Sequence, residues 1–123
     1  MSDWLRLQAR LPLLDEHQLG RLERELGAET LLRLLALFVE DAREQGRALE
    51  QAFEARDHGA MARHCHSLKS ACGSYGALRC QFLGEKLELS CRERNEARVA
   101  EQMGAWRQAL EATLDELAAR LGD

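Results

Sequence analysis

Residues 57–77, DHGAMARHCHSLKSACGSYGA, decide the fold class of this 123-residue chain. Within them Met61, Cys65, Leu68, Cys72 and Tyr75 recur at alternating spacings of four and three, the period of a helix that buries one stripe against its neighbours. Asp57 is placed to cap the start near His58 by accepting an orphan N–H, and Gly76 to end the helix. The same pattern recurs on either side. Upstream, Leu31, Leu34, Leu35, Phe38, Ala42, Leu49, Ala52 and Phe53 mark one face of a long helix running to about Ala55, with Glu40, Asp41, Arg43, Glu44 and Arg47 among its solvated positions. Ahead of it, Asp15 followed by Gln18 resembles a capping box for a helix from about Glu16 to Leu26, which Gly27 closes. Downstream, a helix from about Ala77 to Glu93 turns Cys80, Leu83, Leu87 and Cys91 inward. Asn95 can cap a last one bearing Val99, Met103, Trp106, Leu110, Leu114, Leu117 and Leu121.

Strand-like alternation is absent, and Pro12 is the sole proline. The expected architecture is all-α: an antiparallel up-and-down four-helix bundle formed by the second to fifth of these helices, with the first, N-terminal helix covering one end. Trp4, Leu5, Leu7 and Leu11 form a short apolar segment that Pro12 ends, expected to pack as a lid on the end of the bundle. No repeat or low-complexity linker interrupts the chain, so residues 1–123 are expected to form a single domain, with an extension over 1–12 and a core over about 13–121.

Composition narrows the function classes. Seventeen Lys and Arg against twenty-one Asp and Glu leave a net charge of −4, which gives no electrostatic reason to expect nucleic acid or an anionic membrane as partner. A protein partner fits better. The start, Met-Ser-Asp-Trp, lacks a basic segment followed by an apolar one, so no secretory signal is read and the cytoplasm is the expected location. The greasiest run, Leu31 to Val39, contains Arg33 and falls far short of the roughly 20 apolar residues a spanning helix needs. Cys65, Cys72, Cys80 and Cys91 form no CxxC pair and are expected as free, half-buried thiols. A zinc site from His64, Cys65 and His66 has poor geometry, because successive helical residues point about 100° apart.

His66 breaks the pattern of plain bundle design. At about 100° per residue it projects roughly 140° from the middle of the apolar stripe, toward solvent. His64 lies only about 60° from that middle and is expected at the boundary of the core. His17 and His58 read as surface or cap-adjacent positions. Around His66 the helix is bare: Ala62 lies one turn before, Ser70 one turn after and Gly73 two turns on, leaving room for a partner. Gly73 costs about 1 kcal/mol of helix propensity relative to alanine, so something other than helix stability is expected to favour it. Lys69 shares the face of His66 at the i+3 spacing, where its ammonium can partly neutralise a phosphoryl group on the imidazole, although a solvated surface pair has the same spacing.

His66-Ser67-Leu68-Lys69-Ser70, followed by Gly73 and Gly76-Ala77, resembles the signature of the histidine phosphotransfer family, HxLKG with a small-residue run and a closing Gly-Ala. Leu14-Asp15, the Gly27 turn, Phe38 in the Leu-rich helix, the Asp57 turn and Leu83 to Glu88 are also similar to that family, so the resemblance covers the chain from Leu13 onward. Ser70 departs from it, standing where the family most often has glycine, and is still small. The resemblance implies a phosphoryl carrier in a phosphorelay, with His66 as the phosphorylated residue and Lys69 providing charge beside it. It also places a polar residue of the next helix, here Glu88, against the imidazole. Bound to Nδ1–H, Glu88 would fix the tautomer that leaves Nε2 free to attack an aspartyl phosphate.

The partners implied are receiver domains of hybrid sensor kinases and of response regulators, which would supply Mg²⁺ and the acidic pocket. This chain would hold no cofactor or metal of its own. Ala62, Ser70, Gly73 and Gly76 are the small positions expected to admit the partner, with Arg63, Arg79 and Lys86 as further candidates for the docking face. The chain has no glycine-rich nucleotide loop, so phosphorylation from ATP without another subunit is not expected. Two alternatives remain at this level: a helical adaptor that docks a receiver or kinase without covalent chemistry, and a detached phosphoacceptor piece of a kinase served by a separate catalytic subunit. A monomer is the simpler expectation, while an apolar remainder at Trp4 or Leu7 would support a dimer.

Overall fold

The computed structural model describes residues 3–122. The ends of the 1–123 domain assignment, and the Met1-Ser2 part of the signal reading, lie outside the described residues. Six helices and no strand occur among the described residues: α1 (Asp3–Arg10), α2 (Glu16–Leu26), α3 (Ala28–Glu54), α4 (His58–Ser74), α5 (Leu78–Arg92) and α6 (Glu96–Arg120). Helices α3 to α6 form the antiparallel bundle, and α4 packs against both α3 and α5. The core threads the bundle through Leu49, Met61, Leu68, Leu83, Leu87, Met103, Trp106 and Leu117, all buried.

Local chemistry sets the helix starts. Asp15, Asp57 and Asn95 each accept a hydrogen bond from the backbone N–H three residues on, at 3.1, 3.0 and 3.2 Å. The capping box is only half realised. Gln18 does not return to its cap; its Nε2 donates across the molecule to the carbonyls of Gly73 (2.7 Å) and Ser74 (3.2 Å). Those are orphan acceptors at the end of α4, so Gln18 fastens the two elements together.

The Asp15 N–H donates to Gly76 O at 2.7 Å, Leu14 and Leu19 are buried, and Arg120 pairs with Glu16, so α2 caps the end of the bundle where α4 and α6 finish. Gly76 has φ +71°, and a Cβ there would lie 3.3 Å from Asp15 O. A side chain at that position would meet both left-handed strain and the incoming backbone.

The apolar N-terminal segment is a helix, α1, packed against α5. Trp4 rests on the core edge while Leu7 is exposed. Arg79 secures α1, with its guanidinium donating to Leu11 O (2.9 Å) and Ala9 O (3.3 Å), the kind of carbonyls a helix end leaves unpaired. No helix among the described residues is long and apolar enough to cross a membrane.

Candidate functional site

The bundle brings one side chain of α5 against two of α4. His66 stands out from α4 with 60% of its side chain exposed, while Glu88 of α5 is nearly covered at 10%. Glu88 Oε2 lies 3.4 Å from His66 Nδ1, and Glu88 Oε1 lies 3.0 Å from Lys69 Nζ. The three residues named from sequence therefore meet. Arg92, one turn beyond Glu88, completes the cluster by donating from Nε (3.1 Å) and Nη2 (2.8 Å) to Oε2.

Burial alone pushes the Glu88 carboxyl up. The hydrogen bonds of Arg92, with the adjacent ammonium of Lys69 and the charge of His66, outweigh it and hold the group below the ordinary carboxylate value. Glu88 is thus an anion in front of the imidazole, and the neutral tautomer this favours carries its hydrogen on Nδ1. The Nδ1–Oε2 separation is long for a hydrogen bond and suits an orienting contact.

Close approach of α4 and α5 makes this meeting possible. Gly84 lies one turn before Glu88, and a Cβ there would sit 3.5 Å from Lys69 Cβ and 3.7 Å from the Trp106 ring. The stem of Lys69 thus lies over the bare backbone of α5. Neither Gly84 nor Arg92 was singled out from sequence, although each left a signal. A glycine inside a helical pattern marks a packing need, and Glu88 with Arg92 has the i, i+4 spacing of a helical ion pair.

The small residues divide differently from expectation. Ser70 is exposed beside His66, but Ala62 is only 3% exposed and offers no docking surface. The buried face of α4 is wider than its apolar stripe because it packs on two helices, and Ala62 falls within it. Gly76 is buried in the turn beneath α2 and is likewise no docking residue. Gly73 is half-buried: a Cβ there would come within 3.0 Å of Gln81 Nε2, so its absent side chain makes room for α5.

Arg79, engaged with α1, is not free for docking. Lys86 lies over the Phe82 ring at 5.5 Å and lines the groove beside Glu88 with Lys69, Glu85, Leu89 and Arg92. Leu89 is 53% exposed there. His64 is half-buried, with Nδ1 3.1 Å from Gln45 Oε1, and His17 is exposed. The four thiols are free and fully buried rather than half-buried. No group of three or more His, Cys, Asp or Glu among the described residues is arranged to hold a metal ion.

An antiparallel helical bundle in which an exposed histidine is backed by a buried carboxylate and flanked by a lysine defines the class of histidine-based phosphotransfer modules. The Hpt domain model matches residues 33–120, and the chain belongs to the Hpt domain family. The fold is similar to the crystal structure of histidine-containing phosphotransfer protein B (HptB) from Pseudomonas aeruginosa PAO1, with a TM-score of 0.83 and 25% identity over 90% of this chain and 96% of that one. No curated protein matches the chain.

Proposed function

We propose that this protein carries a phosphoryl group on His66 Nε2, taking it from the aspartyl phosphate of one receiver domain and giving it to the aspartate of another. The observation that carries the reading is the arrangement of His66, exposed and with Nδ1 turned to the buried anion Glu88, so that Nε2 is the nitrogen left for a partner. In the transfer, the Nε2 lone pair forms a bond to phosphorus as the bond from phosphorus to the aspartyl oxygen breaks, and the carboxylate departs. Positive charge develops on the imidazole, which Glu88 faces, and Lys69 is near enough to meet the phosphoryl oxygens.

The receiver contributes Mg²⁺ and its acidic pocket. What this chain adds is a positioned ring and a nearby cation. Ser70, Lys86, Leu89 and Arg63 surround or adjoin the approach and are the surface on which a receiver would rest. Incubation with a phosphorylated receiver tests the reading. Acid-labile, base-stable label should appear on wild type and on His64→Ala and be absent from His66→Ala. No label on any variant across a panel of receivers would make a non-covalent adaptor the better account.

A further inference from the structure

The cations around Glu88 are held in two different ways. Arg92 gives Oε2 two directed hydrogen bonds, at 3.1 and 2.8 Å. Lys69 lies 3.0 Å from Oε1 but off the line of a hydrogen bond, so that buried oxygen has no directed donor. Glu88 itself is 8% exposed, and a carboxylate so placed must keep a counter-ion.

We propose that Arg92 is the fixed counter-ion of Glu88, which releases Lys69 to move from the carboxylate to the phosphoryl group. The inference rests on the carrier reading and makes Arg92 a positioning residue that acts through Glu88. A phosphoryl group arrives with close to two negative charges and draws the Lys69 ammonium toward it. Were Lys69 the only cation on Glu88, its departure would strand a buried charge and oppose the transfer. With Arg92 in place the carboxylate stays paired throughout.

The same guanidinium also bears on the ring's partner: it shares Oε2 with His66 Nδ1 and so holds in place the oxygen that the ring faces. Glu85 and Lys86 of α5 line the adjoining groove, and Arg63 of α4 turns its guanidinium back toward Gly59. On the other side of α4, α3 brings the neutral Gln45 to His64.

Phosphoramidate tests this without a receiver: its P–N bond breaks and ammonia leaves as the bond to Nε2 forms. The rate of His66 phosphorylation is followed at neutral pH. Arg92→Gln should react about tenfold more slowly than wild type, and Arg92→Lys should recover most of the loss. In a Glu88→Gln background, where no buried charge needs holding, Arg92→Gln should change the rate by less than about twofold.

An effect of equal size in both backgrounds, or a wild-type rate for Arg92→Gln, overturns the inference. Should Arg92→Gln not fold, as read by circular dichroism, the rate of Arg92→Lys in the two backgrounds decides the matter by the same coupling. A wild type that takes label without this coupling sinks the Arg92 assignment alone, whereas a wild type that takes none from phosphoramidate or receivers sinks the carrier reading with it.

Discussion

Helices α4 and α5 share two seams that differ in almost everything except position. One is polar and open, with His66 and Lys69 facing Glu88 and Arg92. The other is closed and made of thiols, with Cys65 beside Cys91 and Cys72 beside Cys80, all at most 1% exposed. Cys65 and His66 are adjacent in sequence, and cysteine is intrinsically the stronger nucleophile of the two residue types. The contact with Cys91 and burial push the Cys65 thiol up, so it stays protonated and out of reach. Roughly 100° of helix rotation thus separates an inert packing residue from the candidate reactive one. Environment, more than residue type, decides which group does chemistry.

The sharpest way to break this contrast is to exchange what each seam loses. His66→Ala should abolish phosphoryl uptake, while Cys65→Ala leaves uptake intact and lowers only the unfolding midpoint; loss of label in both would show that the seams are not independent. Removing apolar bulk between them should act on stability alone. Leu68 is 1% exposed, so Leu68→Ala is expected to cost about 2–5 kcal/mol in urea unfolding while His66 still takes label in the folded fraction.

Thiol labelling sharpens the comparison further. The four native cysteines should react with a water-soluble thiol reagent only along the unfolding transition, whereas a His66→Cys variant should label once per chain at the rate of an exposed thiol. Fast labelling of the wild type would mean that the closed seam opens.

The smallest expected effect is on acid stability. The carboxyl of Glu88 is held below its ordinary value in the fold, so its ion pairs stabilise fully above that value and are lost as pH falls through the lowered one. Glu88→Gln should therefore be less stable than wild type at neutral pH, with the gap closing in acid; urea midpoints across the range would show it. A gap independent of pH would assign the loss to packing.

Much of the fold was legible because its signals are local. Asp15, Asp57 and Asn95 cap the helices expected of them, since a cap needs only a side chain within one turn of its N–H. The site was legible in part. His66 and Lys69 share a face by helical spacing, but Glu88 came from the family resemblance, because no spacing rule joins two helices. Ala62 and Gly76 looked like open positions and are covered, since small residues suit a bare surface and a tight contact equally well. Gln18, expected to close its own capping box, bridges to α4, and Arg79 holds α1 instead of facing a partner.

The sequence by itself determined the helices, their caps, the apolar stripes and the outward aim of His66, all consequences of a 3.6-residue period and of interactions within one turn. Only the tertiary structure decided which carboxylate backs the histidine, which cation is fastened to it and which of the small residues remain open. Those depend on how closely α4 and α5 approach over Gly84, a distance set by packing across the whole bundle and written in no single helix.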